Sequence, residues 1–211
     1  MNNYDGWQWK THQPIIRAVM EFYKPRFVLE IGIGMNSTPV FYEYPTFLVG
    51  IENDYEWFLY MKKKYPIQLF HHQLDEGIGI ATKLQWLTQK QKDNIYNYYT
   101  GITLPIIKPN LLFVDQWTCN RTLSINALKD KFDLIIYHDC QPWESGIPEY
   151  EYNLINFEGF NVYFLRNCDN WTGLMIRKEF DKGMKSLRQM IIPHILAFRD
   201  KYPDAGIMQF P

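Results

Sequence analysis

Apolar residues in the first part of the chain follow two alternating patterns. Short unbroken apolar runs with β-branched residues are typical of strands buried in a parallel sheet. Between these runs, apolar residues recur every three or four positions, which indicates amphipathic helices. The predicted strands are 26–32, 47–51 and 67–70, and the predicted helices are 14–23, 40–42 and 55–61. Thr11 is a candidate cap for the first helix, and Asp54 is a candidate cap for the third.

The second half of the chain continues this alternation and then ends with two strands and a helix. The predicted strands are 111–115, 132–139, 161–165 and 173–176, and the predicted helices are 120–129, 149–156 and 182–198, the last with a break or kink at Pro193. The final two strands are expected to pair antiparallel at the edge of the sheet. We therefore predict one α/β domain, 1–211, with a Rossmann-like, doubly wound, mostly parallel sheet and an antiparallel C-terminal edge strand.

One connection, 76–110, is longer than a plain βαβ crossover requires. Its pattern predicts one helix over 80–91, followed by an aromatic segment over 94–101. We interpret the region as an insertion over the carboxyl edge of the sheet. It would act there either as a substrate lid or as a passive surface excursion.

Composition narrows the class of protein further. The 211 residues are 46% hydrophobic, enough for a sizeable core, and the net charge of -1 provides no broad basic field for nucleic acid. The three cysteines form no metal-binding spacing and favour a reducing compartment. No apolar run reaches the length of about 18 residues that a membrane span requires. We expect a soluble, cytoplasmic protein without a nucleic-acid or membrane partner, and homodimer formation stays open.

The strongest local motif follows the first predicted strand and reads Glu-Ile-Gly-Ile-Gly-Met-Asn-Ser-Thr over 30–38. Glycines at the end of a strand allow a sharp turn and the close approach of a ligand. Ser37 stands where a pyrophosphate-binding G-x-G-x-x-G motif would have its third glycine. Glu30 would repel a pyrophosphate and would suit a cationic ligand that carries an α-ammonium and a sulfonium group. Alternatively, Glu30 caps a backbone turn.

A second acid, Glu52, ends the second predicted strand, 20 residues after Gly32. A carboxylate at this position can accept hydrogen bonds from both hydroxyl groups of a ribose. The alternative is a solvated residue at the end of a strand. Together with the glycine turn, Glu52 predicts a binding site for a ligand with a sugar and a cationic end.

These motifs resemble those of class I S-adenosylmethionine-dependent methyltransferases. The segments 34–38 and 49–57 are similar to the methyltransferase-24-like branch, which reads G-x-x-N-S-T and later I-E-x-D-x-x-W. Phe113-Val114-Asp115, Arg121 and the strand that ends in His138-Asp139 are similar to later motifs of that branch. The resemblance covers about 27–139 and the final strand pair. Where members often have a glycine after the fourth-strand Asp, this chain has Gln116.

The resemblance implies S-adenosylmethionine as cofactor and a role for each matching residue. Glu30, Gly32 and Gly34 would hold the methionine portion, and Asp115 would lie beside it or face the substrate. The other implied cofactor-binding residues are Asn36, Ser37 and Thr38 on the turn, Glu52 at the ribose, and Asn53 and Asp75 near the adenine. The implied reaction is O- or N-methylation of a small molecule or a sugar-like metabolite.

Asp115, His138 and Asp139 lie at the ends of predicted strands, where open α/β sheets place their reactive cleft. His138 could act as a general base on the acceptor, or Asp115 and Asp139 could bind Mg²⁺ together with acceptor oxygens. In a third interpretation His138 packs against the sheet and Asp139 caps a turn. Trp117, Tyr137 and Trp143 are near this cleft in sequence and would stack on a planar acceptor or pack in the core.

Two other functions compete with the methyltransferase. A non-catalytic module could retain the fold and the cofactor site. A nicotinamide-dependent dehydrogenase could share the general fold, although Glu30 and Ser37 disfavour it.

Overall fold

The computed structural model describes residues 10–74, 84–116, 120–140, 151–166 and 171–205, together with 208 and 210. The strands are β1 (Phe27–Ile31), β2 (Phe47–Glu52), β3 (Gln68–His71), β4 (Asn110–Val114), β5 (Leu134–His138), β6 (Phe160–Leu165) and β7 (Thr172–Arg177). The α-helices are α1 (Gln13–Tyr23), α2 (Thr38–Tyr42), α3 (Tyr55–Lys64), α4 (Gln89–Thr100), α5 (Arg121–Leu128) and α6 (Gly183–Lys201).

The seven strands form a single sheet in the order β3-β2-β1-β4-β5-β7-β6. Strands β1 to β5 pair in parallel, whereas β7 is antiparallel to both of its neighbours, β5 and β6. This topology confirms the predicted doubly wound sheet with an antiparallel edge pair. The chain order reverses between β1 and β4, and open α/β sheets bind ligands outside the carboxyl ends of the strands at such a point.

Both faces of the sheet are covered by helices, which explains why β1, β4 and β5 are apolar and almost completely buried. Helices α1, α2 and α6 cover one face with a core cluster that includes Ile15, Phe41 and Leu187. Helices α4 and α5 cover the other face with a second cluster that includes Tyr99 and Ile125. Residues at alternating positions of each strand therefore enter opposite cores.

Several predicted helix boundaries are confirmed in detail. Pro14 lies in the first turn of α1, and the Asp54 carboxylate caps α3 by accepting the Trp57 backbone N–H at 2.9 Å. Helix α6 runs continuously through Pro193, so the predicted interruption is wrong. The helix predicted over 149–156 is, in its described part, a single 3₁₀ turn at Tyr152–Leu154.

The long connection between β3 and β4 differs most from its prediction. Its α-helix runs from Gln89 to Thr100, where the pattern had predicted a helix over 80–91. Ile95 and Tyr99 bury this helix in the core beside α5, so its described part covers a face of the sheet. Residues 75–83 lie outside the described residues. The role of 76–110 as an inserted element stays a prediction.

No helix among the described residues is both long enough and apolar enough to cross a membrane.

Candidate functional site

The turn after β1 lies directly against the end of β4, where the order of the strands reverses. Gly32 has a φ of 81°, and a Cβ at this position would lie 2.4 Å from the backbone of Gln116. The backbone N–H of Gly32 donates to the carbonyl of Ile51 at 2.9 Å, and that of Asp115 donates to Ile31 at 2.9 Å. Glycine is required here because its neighbours leave no space and because L side chains rarely adopt this φ.

Glu30 is completely buried beneath this turn and holds it together. Its carboxylate accepts the hydroxyl of Ser37 at 2.5 Å and that of Thr38 at 2.8 Å. The Thr38 hydroxyl oxygen in turn accepts the backbone N–H of Gly34 at 3.1 Å. Burial raises the pKa of Glu30 to about 8, although the two hydroxyl groups partly oppose this shift. This geometry favours a role in shaping the turn, and direct contact with a ligand ammonium stays a prediction.

Glu52 lies at the end of β2, beside the glycine turn. Its Oε1 accepts the backbone N–H groups of Asn53 at 2.8 Å and Asp54 at 2.9 Å. Burial raises its pKa to about 7, while backbone groups of Asp54, Asn53 and the turn residue Ile33 oppose the shift. The Trp57 indole N–H donates to the Ile33 carbonyl at 2.6 Å and joins α3 to the turn. The two elements that predict the cofactor site are therefore neighbours.

The outer part of the turn is more open than its base. Among the described residues, a Cβ at Gly34 would meet only the Ser37 hydroxyl, at 3.2 Å, and the Asn36 nitrogen, at 4.0 Å. Asn36 is partly exposed, and its carbonyl accepts the side-chain amide of Gln13 at 2.8 Å. Asp75, predicted near the adenine, lies outside the described residues. The turn is thus open on its outer side, with the Glu30 carboxylate beneath it and the Glu52 carboxylate beside it. This arrangement suits the amino-acid and sugar portions of S-adenosylmethionine.

A buried arginine joins the candidate catalytic residues at the ends of β4 and β5. Arg121 contacts the carboxylates of Asp115 at 3.1 Å and Asp139 at 3.2 Å, and it donates to the His138 carbonyl at 2.9 Å. Its side chain is 3% exposed, whereas each carboxylate is 22% exposed. Asp139 adopts a φ of 57°, which is uncommon outside glycine. The structure thus brings together Asp115, His138 and Asp139, as the sequence predicted.

His138 uses both ring nitrogens within this cluster. Its Nδ1 lies 3.3 Å from Asp115 and 3.4 Å from Asp139, and its Nε2 lies 2.9 Å from the Thr11 hydroxyl. Burial alone would lower the pKa of His138, but the two carboxylates outweigh it and the pKa is raised. The Thr11 hydroxyl is thus occupied, and the predicted cap of α1 is wrong because His12 takes the N-cap position without a side-chain hydrogen bond.

The neighbours of Asp115 lower its pKa. Burial alone would raise its pKa, but the charges of His138 and Arg121 outweigh burial and lower the pKa to about 2. Asp115 and Asp139 both keep some exposed surface, whereas His138 is 3% exposed. The two carboxylates are therefore more accessible than the imidazole of His138.

The structure gives no support to the predicted Mg²⁺ site between Asp115 and Asp139. The guanidinium group of Arg121 contacts both of the carboxylates between which the Mg²⁺ ion was predicted. Magnesium also prefers an octahedral set of oxygen ligands, whereas the side chains that contact both carboxylates here are a guanidinium group and an imidazole ring.

Two residues of this region were missed by the sequence analysis. His12 is buried beside His138, with ring centroids 4.7 Å apart, and a lone histidine before a helix gave no signal. Gln116 accepts the Tyr99 hydroxyl at 3.1 Å and donates to the Ser124 hydroxyl at 3.1 Å. Gln116 thereby connects α4 and α5 to the end of β4.

Of the three aromatic residues predicted near the cleft, Tyr137 belongs to the core. It is 1% exposed, and a Cβ at Gly173 would lie 2.2 Å from its ring. Trp117 and Trp143 lie outside the described residues.

An apolar cavity of about 490 Å³ lies away from these polar groups. It is lined on one side by residues of β1, β2 and β3 and on the other side by the end of α4 and the segment 101–105. Phe47 and Phe70 line it and are each nearly half exposed. The candidate catalytic residues do not line it.

Comparison with known proteins identifies the fold. No family model and no curated protein sequence matches the chain. A methyltransferase-like protein from Silicibacter pomeroyi superposes with a TM-score of 0.50 and 15% identity, over 86% of this chain and 94% of that one. The Escherichia coli protein yhhF, provisionally described as a methyltransferase, gives 0.52 and 12% over 79% and 85%. The chain therefore has the class I methyltransferase fold.

A dimethyladenosine transferase from Plasmodium falciparum is also similar, with a TM-score of 0.49 and 14% identity over 78% of this chain. The chain spans 62% of the length of that protein.

Proposed function

We propose that the protein is an S-adenosylmethionine-dependent methyltransferase. The observation that carries the proposal is the contact between the glycine turn and the end of β2, where Glu52 and Ile33 are neighbours. The turn follows β1, which lies next to β4 at the point where the strand order reverses. When bound, S-adenosylmethionine supplies an electrophilic methyl group on a sulfonium. Every other function of the site would come from the residues of the chain.

On the cofactor side, each residue has a separate task. The carboxylate of Glu52, with one oxygen already held by two backbone N–H groups, would accept the ribose hydroxyls. Gly34 and Asn36 would face the methionine portion, and Glu30 would keep the turn in shape from beneath. Asn53 would lie near the adenine, because it follows Glu52 directly.

On the acceptor side, methyl transfer mainly requires that the acceptor is held in line with the methyl group. Asp115 and Asp139, both partly exposed, would orient an acceptor hydroxyl or amine, and Asp139 would receive its proton. Arg121 fixes both carboxylates, and His138 lies behind them in contact with both. We propose O- or N-methylation of a small molecule or sugar-like metabolite on this basis.

The direct test is the detection of a methylated product. The protein would be incubated with S-adenosylmethionine and separate pools of hydroxylated metabolites, amines and RNA, and a mass increase of one methyl group would be sought. Turnover in a metabolite pool supports the proposal, and turnover only with RNA corrects the acceptor. Binding of NAD in place of S-adenosylmethionine would favour the dehydrogenase instead, and cofactor binding without turnover in any pool would favour the non-catalytic module.

A matched variant separates chemistry from cofactor binding. Asp139→Asn removes the charge, and asparagine tolerates the positive φ of this position. We expect turnover to fall at least about 10-fold, since positioned acid-base groups contribute about 10²–10⁴-fold. The affinity for S-adenosylhomocysteine should stay unchanged. Unchanged turnover would remove Asp139 from the catalytic residues.

A further inference from the structure

His12 is a buried histidine without an evident structural partner. It is 2% exposed, and neither of its ring nitrogens has a hydrogen-bond partner among the described residues. The Asn36 carbonyl is close enough to influence its pKa but does not reach hydrogen-bond geometry. An unpaired polar group in a protein interior is costly, so a buried imidazole of this kind requires an explanation.

Two other possible metal ligands lie close to the ring of His12. One ligand atom from each of His12, Asp115 and His138 lies within 4.8 Å of the other two. His138 Nδ1 and Asp115 Oδ1 are 3.3 Å apart. Two ligands of a tetrahedral zinc ion with bonds of about 2.0–2.1 Å are separated by about 3.3–3.4 Å. One edge of a coordination tetrahedron is therefore already formed, and His12 would need to approach by about 1.5 Å at most.

The second ring nitrogen of His138 supports the same interpretation. His138 Nε2 lies 2.9 Å from the Thr11 hydroxyl, whose oxygen can accept a hydrogen bond from the Nε2–H group. Metal-bound histidines almost always donate their other N–H to a neighbouring acceptor, which fixes the tautomer and the ring orientation. With Nε2 bound to Thr11, Nδ1 is left to coordinate a metal beside Asp115.

The charges around the three ligands leave a place for a cation. Asp115 and Asp139 are two carboxylates, and Arg121 is the guanidinium that contacts both. With neutral imidazoles, the cluster has an excess of one negative charge. Two imidazoles and one carboxylate form the donor set of catalytic zinc sites, and nitrogen ligands favour transition metals over magnesium.

We propose that His12, Asp115 and His138 form a binding site for a divalent transition-metal ion of the zinc type, with Thr11 as the residue that orients His138. The ion would replace the missing hydrogen-bond partner of His12. It would join the start of α1 to the ends of β4 and β5 and leave one coordination position for water or an acceptor oxygen. The site does not depend on the proposed cofactor.

The test measures metal binding without any cofactor. Protein stripped with a chelator would be titrated with Zn²⁺ by calorimetry, with excess Mg²⁺ present, and with Co²⁺ by visible absorption. We expect one equivalent of Zn²⁺ and the d–d absorption bands of a four- or five-coordinate Co²⁺ ion. His12→Gln should weaken Zn²⁺ binding at least about 100-fold, and Thr11→Val should weaken it about 10- to 100-fold, as for other outer-shell partners.

His194→Gln is the matched control, because His194 lies on α6 and pairs with Glu21. It should bind Zn²⁺ as tightly as the unmodified protein. Equal Zn²⁺ affinity in His12→Gln would overturn the proposal, since the ion would then be bound elsewhere. If His12→Gln does not fold, the unmodified protein decides: less than one equivalent of Zn²⁺, or no Co²⁺ bands, overturns the proposal.

Discussion

Glu30 should make the protein less stable as the pH rises, because its pKa is raised on folding. Carboxyl groups whose pKa is lowered on folding have the opposite effect. Its pKa rises from an ordinary value of 4.5 to about 8 because it is completely buried. The folded state then binds a proton that the unfolded state releases between these two pH values. Stability that is present below pH 4.5 is therefore lost as the pH rises towards 8.

The magnitude follows from the size of the shift. One pKa unit corresponds to about 1.4 kcal/mol, so the full shift corresponds to about 5 kcal/mol, of which about 3 kcal/mol is already lost at pH 7. Glu30→Gln keeps the shape of the side chain and removes the ionisation. The free energy of unfolding of the unmodified protein, relative to this variant, should thus fall by several kcal/mol between pH 4.5 and pH 8.

The assay is urea denaturation followed by tryptophan fluorescence at pH values from 4 to 9. Glu56→Gln, which changes an exposed carboxyl group on α3, is the matched control and should keep the pH profile of the unmodified protein. If Glu30→Gln and the unmodified protein have parallel profiles, the Ser37 and Thr38 hydroxyls fully offset the cost of burial, and the reasoning fails.

Four further substitutions test the packing around the site, each by its free energy of unfolding. Gly173→Ala should destabilise the fold by about 1–3 kcal/mol, because its Cβ would enter the buried ring of Tyr137. Gly32→Ala should cost more than Gly34→Ala, because only the former meets backbone atoms and requires a positive φ. Arg121→Met should cost about 3–5 kcal/mol, since it leaves two carboxylates without their shared cation. Equal stability of Gly32→Ala and Gly34→Ala would contradict the contacts of Gly32. A loss below about 1 kcal/mol for Gly173→Ala or for Arg121→Met would contradict the contacts of that residue.

The fold was predictable because its central strands β1, β4 and β5 are buried on both faces. Such strands are continuous apolar runs, and the glycine turn after the first of them marks the carboxyl edge of the sheet. Helix α4 was placed too early because its two buried residues, Ile95 and Tyr99, form a weak periodic pattern in a polar segment. A capping box between Thr88 and Gln91 was the available signal for its start.

The site was predictable only where its residues end a strand. Asp115, His138 and Asp139 met this condition. His12 reaches them only because α1 packs across the sheet, 126 positions away in sequence from His138, and no local pattern reports such a contact. The bridging position of Arg121 likewise depends on how α5 begins next to β4 and β5.

The proposed cofactor site is tested most directly by calorimetric titration with S-adenosylhomocysteine. The account predicts that the unmodified protein binds it and that Glu52→Gln weakens binding by about 1–3 kcal/mol, or about 5- to 150-fold. Glu56→Gln should bind as the unmodified protein does. No binding by the folded, unmodified protein, or equal affinity in Glu52→Gln, would contradict the assignment of the site.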